Sequence, residues 1–496
     1  MAGGMFHRAG KSSIDTESSS KVFDLPASAY WHTILSESVV SGLVGAMDAL
    51  VAALVGGLLY WAYVGWSPEN YQIYLAVIGL NVVLTVGALQ YSRLYDFERV
   101  IAWPRHMSRA VVICGFVFLV LVALAFALKL TDEFSRLWFF ASFMGTAVMI
   151  CACRGLFRYF LGRSARAGLM ARNVAIVGAG GQARYLLGEL RERDVPWKRI
   201  VGVFDDRKTR IDSEVNGFPV LGDLDDLVGY VRRGMVHDVV ITLPWNADDR
   251  LVSIIDRLRH LPVHVYLGSD LIGYHFPRHH RRQLEGVPVL EIAAVPLSGW
   301  SGVIKVVEDK ILAVLALAVL SPLLLLIALA IKLDSRGPVL FRQARYGFNN
   351  EVIIVNKFRT MYHDRPPEVG VPQARRNDLR VTRVGRLLRR MSFDELPQVL
   401  NVLSGSMSMV GPRPHAVEHN EQYSALIGGY HGRHRVKPGI TGWAQVNGLR
   451  GETTTLDQMR KRVEHDIHYI ENWSPWLDLR IVVLTALFGW HQKNAY

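Results

Sequence analysis

Two adjacent carboxylates, Asp394 and Glu395, stand directly behind a segment, 382–390, whose helical spacing puts Arg383, Arg386 and Arg390 on one face. Shortly after them, Gly411-Pro412-Arg413-Pro414 forms a rigid loop that presents another arginine. Upstream, Lys357-Phe358-Arg359 supplies two cations at the end of an apolar strand. A carboxylate among cations has a lowered pKa and stays ionised. That setting suits phosphoryl transfer, in which an aspartate can attack phosphorus to form an acyl phosphate while cations neutralise the oxygens of a diphosphate. Two neighbouring acids allow one to attack and the other to hold magnesium. The competing structural reading is a helix start, because Ser392 and Glu395 have capping-box spacing ahead of the apolar run 396–403.

The elements that must position these residues are partly in lipid. The chain has 496 residues, half of them apolar, and a formal charge of +12; it is too long for one ordinary domain and too apolar for a purely soluble protein. Between 335 and 496, 23 lysines and arginines face 14 aspartates and glutamates, so this third is built for anions. Its aromatic residues cluster near apolar segments instead of interleaving with the arginines, which argues for phosphates beside a membrane and against nucleic acid. Cys114, Cys151 and Cys153 lie in or beside apolar runs and suggest neither disulfides nor a zinc site. No cleavable signal peptide is expected at the N-terminus.

Four runs near the ~20 residues needed to cross a bilayer occur at 41–64, 71–91, 109–130 and 137–157. The first connecting loop, 65–70, has no basic residue, whereas 92–108 carries Arg93, Arg99 and Arg105. Positive-inside logic places the second loop, the tail 1–40 and the segment after the fourth helix in the cytoplasm. Asp48, inside the first run, is expected to face neighbouring helices structurally, since buried charges are usually paired. A fifth run, 311–333, is long enough to cross, but basic residues flank it on both sides and Ser321-Pro322 sits at its middle. We read 300–334 as a re-entrant helix-break-helix that enters and leaves the cytoplasmic leaflet.

Residues 172–295 read as a Rossmann-like α/β domain. The strand 173–178 runs into Gly178-Ala179-Gly180-Gly181-Gln182-Ala183 and then a helical pattern, and Asp205-Asp206 ends the next strand where a ribose-binding acid is expected. Gly178, Gly180 and Gly181 are therefore candidate cofactor-binding positions, although such turns also serve tight strand-to-helix packing. His275, His279 and His280 lie among arginines and read as a solvated basic loop instead of a metal cluster. The whole is expected to be a multidomain membrane protein: a four-helix transmembrane bundle at 41–160, the Rossmann-like domain, and a mostly α catalytic domain at 335–496 joined by the re-entrant helix.

Ser321-Pro322, Lys357-Phe358-Arg359, Asp394-Glu395-Leu396-Pro397-Gln398, Gly411-Pro412-Arg413-Pro414 and Lys437-Pro438-Gly439-Ile440-Thr441-Gly442 together resemble the bacterial polyprenyl-phosphate hexose-1-phosphate transferases. The resemblance is strong over 300–496, and the four helices with a Rossmann-like middle domain are similar to the family's long form. It implies that Asp394 attacks the sugar-bearing phosphorus of a UDP-hexose, that UMP leaves, and that undecaprenyl phosphate then takes the phosphosugar. Glu395 would coordinate Mg2+. Arg413 and Arg389 match phosphate-binding positions, and Lys357 and Arg359 match a basic pair. GPRPHA at 411–416 and Gly451-Glu452-Thr453 resemble the branch that uses UDP-glucose and starts exopolysaccharide repeat units. The sequence departs from the family at Asn377-Asp378-Leu379-Arg380, where proline is more usual after the aspartate.

His415, placed with the substrate-binding residues, and His431 and His434 are expected as substrate contacts or surface instead of proton shuttles, because the phosphates are already ionised. Trp473, Trp476 and Trp490 flank the short apolar segment 479–487, which suits an interfacial helix or a plain core helix. The resemblance implies a multi-pass protein of the bacterial inner membrane, with its middle and catalytic domains on the cytoplasmic side, and leaves room for a homodimer. Two other functions compete. A membrane-bound nucleotide-sugar dehydratase or epimerase usually needs Tyr-x-x-x-Lys, which is nowhere in the sequence; a non-enzymatic scaffold of a polysaccharide export complex would use the basic face to bind anionic lipid.

Overall fold

The computed structural model describes residues 36–65, 71–129, 135–166, 172–192, 198–207, 213–243, 248–268, 281–284, 287–362, 378, 380–415, 417–451 and 455–488. The histidines at 275, 279 and 280, Asn377, Leu379, Glu452, Thr453 and Trp490 lie outside these residues.

Apolar helices form the first block: α1 (Glu37–Leu59, continued as a wider π turn Tyr60–Val64), α2 (Tyr71–Tyr91), the short α3 (Phe97–Ile101), α4 (Trp103–Ala127) and α5 (Arg136–Arg166). The four long ones are long and apolar enough to cross a membrane. Their cores are small: Val44, Leu89, Leu94 and Trp103 form one cluster, and Val51, Cys114, Ala147 and Ile150 another. Outward faces stay apolar and exposed, as with Leu54, Phe116 and Phe140, which is how a lipid-facing helix differs from a soluble one. Asp48 is fully buried and paired. Arg154 of α5 donates to it at 3.0 Å, Tyr95 donates its hydroxyl at 3.0 Å, and the guanidinium lies over the rings of Tyr95 and Trp103. The expected structural role of Asp48 matches this placement.

The middle block is a sheet whose central strands are parallel. Its elements are β1 (Arg172–Val177), α6 (Gly181–Glu192), β2 (Lys198–Phe204), β3 (Glu214–Val215), β4 (Phe218–Gly222), α7 (Leu224–Arg232), β5 (Asp238–Ile241), α8 (Asp248–Leu258), β6 (His264–Gly268), β7 (Arg281–Leu284) and β8 (Val287–Ala293). The strand order is β3-β4-β2-β1-β5-β6-β8-β7, with β4 through β6 parallel and three antiparallel pairings outside them, β3 with β4, β6 with β8 and β8 with β7. The runs at β1, β5 and β6 are buried on both faces, as helix-covered parallel strands must be.

α9 (Gly299–Asp334) is one helix of 36 residues that passes through Pro322. The expected break is therefore absent as an interruption. The ring lacks the N–H for one ladder bond, the Ser321 hydroxyl donates to the Ala318 carbonyl at 3.1 Å, and the helix continues. Both halves lie on the same catalytic block. Ala313 packs with Val355, Val399, Val402 and Met407, while Ile327 and Ile331 pack with Phe358 and Leu388. Along the other face Leu315, Val319, Leu325 and Leu329 are exposed.

The block itself contains the antiparallel hairpin β9 (Leu340–Tyr346) and β10 (Val352–Phe358), α10 (Arg383–Met391), α11 (Val399–Ser404), β11 (Ser408–Val410), α12 (Val417–Leu426), β12 (Gly439–Thr441), α13 (Trp443–Val446), α14 (Leu456–Glu471) and α15 (Pro475–Phe488). Lys305 near the start of α9, read from the sequence as a flanking charge, is buried; it pairs with Asp309 at 2.9 Å and Asp478 at 2.6 Å. Asp478 also accepts from Tyr469 and Trp473, and Asp309 from Ser408, so this cluster ties α9 to β11, α14 and α15. α15 buries Ile481 and exposes Trp476, Leu479, Val483 and Leu487, an apolar face suited to an interface.

Candidate active site

α10 opens with Thr382, whose hydroxyl accepts from the Gly385 N–H at 2.9 Å. Gly385 sits where any Cβ would overlap the Thr360 carbonyl, so a glycine lets α10 press against the chain leaving β10. The helix ends at Ser392, left-handed at φ 57°, and the tight 3-10 turn Phe393–Gln398 follows. The capping-box reading is thereby excluded: the Ser392 side chain caps nothing, and the Glu395 carboxylate points to cations instead of a backbone N–H. Asn401 then fastens α11 to the edge of β10, accepting from Asn356 N–H at 2.9 Å and donating to the Ile354 carbonyl at 2.6 Å.

Lys357 projects from β10 and donates to Glu395 Oε1 at 3.0 Å. Arg413 reaches the same carboxylate with two nitrogens, Nη1 to Oε2 at 2.9 Å and Nη2 to Oε1 at 2.6 Å. The Arg413 loop is seated backbone to backbone on the 437–442 segment. Gly411 N–H donates to the Thr441 carbonyl at 2.8 Å, Gly439 N–H to the Pro412 carbonyl at 3.0 Å, and a Cβ on Gly411 would lie 2.6 Å from the Lys437 carbonyl. The glycines of both motifs are thus required for close approach.

The two acids differ sharply. Burial by itself would raise the Glu395 pKa, but Arg413 and Lys357 outweigh it and hold the carboxyl well below its usual range. Burial, followed by the charge of Glu395, pushes Asp394 up to about 6, against the pull of Lys357, Arg389 and Arg413. The lowered pKa expected for both carboxylates belongs to Glu395 alone. Asp394 accepts no hydrogen bond from any described residue, yet three cations face it and at neutral pH it is still mostly ionised.

Arg389, one turn before the acids, donates to the Thr360 hydroxyl at 2.9 Å and faces Asp394 electrostatically. Arg450 also faces the pair: burial and then the repulsion of Arg413 lower its pKa, against the pull of Glu395 and Asp394. The sequence reading did not single it out; its nearest signal is the adjacent Gly451. Arg359 is placed elsewhere. The strand ends at Phe358, and the Arg359 guanidinium turns to the end of α9 and the chain just past it, donating to Ser335 O at 2.7 Å, to Arg336 O and, at 3.5 Å, to the Ile331 carbonyl in the last turn. It acts as a cation at a helix C-terminus, where carbonyls lack intrahelical donors, and does not join the acid pair.

His415 is buried behind the loop, its Nδ1 2.6 Å from the Tyr430 hydroxyl and its Nε2 2.9 Å from Arg433, and its pKa is well below the usual value through burial and then Arg433. The structure thus gives it neighbours in the fold behind the acid pair. His434 is buried and His431 half-buried, both against the β9–β10 turn, so neither is the exposed surface residue the sequence allowed. Asp378 and Arg380 pair with each other at 2.6 Å near the site.

In the middle block, Gly178 has φ 101° and a Cβ there would lie 3.2 Å from Leu243, which is the packing role. Gly180 and Gly181 have open space above them. Asp205, expected to meet a ribose, accepts instead from the Ala179 N–H at 2.9 Å and pairs with Arg207 at 2.7 Å and Arg250 at 3.0 Å. Among the described residues no three His, Cys, Asp or Glu side chains gather as a metal site.

Residues 300–492 match the family described as bacterial sugar transferase, and residues 91–268 match the family described as CoA-binding domain. A UDP-glucose:undecaprenyl-phosphate glucose-1-phosphate transferase of Xanthomonas campestris pv. campestris is 42% identical over 473 residues, covering 92% of this chain and 96% of that protein. A protein of the same name from Escherichia coli (strain K12) is 44% identical over 367 residues, 74% of this chain and 77% of that one. The exopolysaccharide production protein PSS of Rhizobium leguminosarum bv. phaseoli is 48% identical over 188 residues, which is 37% of this chain but 94% of that protein, so it is too short to hold both blocks.

Proposed function

The chain belongs to the long-form undecaprenyl-phosphate hexose-1-phosphate transferases and is a phosphoglycosyl transferase; from that premise we propose that it moves glucose 1-phosphate from UDP-glucose to undecaprenyl phosphate through a covalent intermediate on Asp394. Family membership displaces the dehydratase and scaffold alternatives. The observation that carries the covalent reading is the inequality of the acid pair. Glu395 is locked by Lys357 and Arg413, whereas Asp394 faces cations and, among the described residues, keeps both oxygens free of hydrogen bonds.

In the first step an Asp394 carboxylate oxygen bonds to the sugar-bearing phosphorus, the bond from that phosphorus to the bridging oxygen breaks, and UMP leaves with that oxygen. In the second, a phosphate oxygen of the lipid attacks the same phosphorus and Asp394 leaves as carboxylate. Arg413, Arg389 and Arg450 surround the acids as counter-charges for diphosphate oxygens. Among the described residues Glu395 Oε2 accepts one hydrogen bond, so it has a lone pair with which it would hold Mg2+, and the bound ion would neutralise phosphate charge.

Both halves of α9 pack on the catalytic block, and its outer face is apolar. A helix crossing straight through ~30 Å of hydrocarbon would carry its two ends apart, so this packing supports re-entry from one leaflet, which in a continuous helix requires a bend at Pro322 instead of a break. With the basic loop 92–108, it supports an inner-membrane protein whose middle and catalytic blocks are cytoplasmic.

The test is release of UMP from labelled UDP-glucose, in the presence of undecaprenyl phosphate and magnesium, by the full chain in lipid nanodiscs. Asp394→Asn should abolish turnover while inserting normally; wild-type turnover by this variant would end the covalent reading. Parallel reactions with UDP-galactose and the UDP-N-acetyl sugars decide the sugar.

A further inference from the structure

The six residues Tyr430–Arg435 form a 3-10 turn with different partners on each side. Towards the middle block, Gly429 and Gly432 press on His260, just beyond α8; a Cβ at Gly429 would lie 3.0 Å from its ring. Towards the β9–β10 hairpin, His434 meets the Gly347 carbonyl at 3.1 Å and His431 the Asn350 amide at 3.1 Å. Towards the acid pair, Arg433 Nη2 donates to the Arg413 carbonyl at 2.7 Å and to Asp466 at 2.7 Å. The same residue that faces Glu395 therefore has its backbone held from behind by Arg433.

The hairpin tip completes the bracket. Asn349, buried at φ 53°, donates to the Val231 and Arg232 carbonyls, the last of α7, at 3.1 and 3.0 Å. The same hairpin carries Lys357 on β10, and Arg345 on β9 donates to the Pro414 carbonyl at 3.3 Å. In a parallel α/β sheet the helices run against the strands, so the C-termini of α7 and α8 lie at the edge where β5 and β6 begin. Ligands of such sheets bind at the opposite edge, where the strands end, here marked by the Gly178 turn. The docking contacts through Asn349 and His260 do not fall at that edge.

Resting on the reading of Arg413 as a counter-charge for phosphate, we propose that Arg433 is a positioning residue for the transfer, and that the middle block, docked through Asn349 and His260, sets the position of Arg433. A relative matched over 94% of its length by 188 residues of this chain is too short to hold a middle block. In this chain the docked sheet adds control over where Arg413 stands.

The test compares wild type, Arg433→Lys and Asn349→Ala as full chains in nanodiscs, by UMP release and by amide exchange at Gly411, Arg413 and His415. Wild type inactive on every UDP-sugar would strike the functional reading itself, before any variant is compared. Lysine keeps a charge opposite Asp466 but has one nitrogen where the guanidinium uses two, so kcat should fall about tenfold or more with KM for UDP-glucose within about twofold, and exchange should quicken. Asn349→Ala, remote from the acids, should lower kcat by about threefold with the same exchange signature. Wild-type kcat in Arg433→Lys overturns the positioning role. A slowed Arg433→Lys beside wild-type kcat and exchange in Asn349→Ala overturns the coupling to the middle block.

Discussion

Arg413 grips Glu395 with two nitrogens, at 2.9 and 2.6 Å, while Asp394 beside it accepts no hydrogen bond from any described residue. Planar two-point pairing holds an arginine in one orientation, which a lysine at the same place cannot reproduce. Arg413→Lys should keep the net charge of the site yet lower kcat by about 10²-fold, the order seen when one preorganised donor is lost. Steady-state UMP release measures it, and a value within twofold of wild type would mean that charge alone suffices.

Lys357 and Arg359 are two positions apart but should fail in different ways. Lys357→Ala removes a cation from Glu395 and should cut kcat in a protein of normal stability. Arg359→Ala leaves the carbonyls at the end of α9 without a donor, a loss of about 2–3 kcal/mol for hydrogen bonds to a charged group. Its unfolding midpoint should drop while the folded fraction keeps near-normal KM for UDP-glucose. If Arg359→Ala raised KM and left the midpoint alone, Arg359 would be a substrate contact after all.

That pair also shows what the sequence could and could not tell. Residue type and spacing brought Asp394, Glu395, Lys357 and Arg413 to one place because each sits on a regular element or a proline-stiffened loop, and the family resemblance added Arg389. Arg359 escaped because the strand stops one residue earlier, and strand alternation no longer decides where its side chain goes. Arg450 escaped because only the fold returns its loop to the acids. The inequality of the two acids was illegible, since burial and partners are tertiary facts. Ser392 looked like an N-cap and is a left-handed helix end. Length and hydropathy found the apolar helices to within about two and a half turns, but proline at 322 did not interrupt α9, and Lys305, read as a flanking charge, pairs with Asp478 far along the chain.

Asp48 and Arg154 test whether the first block merely holds its helices together. Removing one partner of a buried pair leaves an uncompensated charge and costs about 3–5 kcal/mol, whereas replacing both by apolar residues is often close to neutral. Asp48→Asn should therefore lower the thermal stability of the chain in nanodiscs, and Asp48→Leu combined with Arg154→Leu should recover most of it. Equal destabilisation by the single and double changes would point to a role for the charges beyond pairing.

His431 and His434 make docking of the hairpin tip sensitive to pH. Burial and then Arg433 push His434 down to about 3, and burial, Arg232 and His260 push His431 down to about 4. When the tip opens and both rings reach water, their pKa values return towards about 6.5. Between those limits the open form binds more protons than the closed one, so closure is fully favoured above pH 6.5 and weakens as pH falls, by roughly 1.4 kcal/mol per pH unit for each ring that becomes exposed. Amide exchange at 347–350 should report this as an opening free energy that declines from pH 7 to pH 5. His431→Asn removes one ring and should flatten the decline by about that single share; parallel curves for wild type and variant would show that His431 does not titrate on opening.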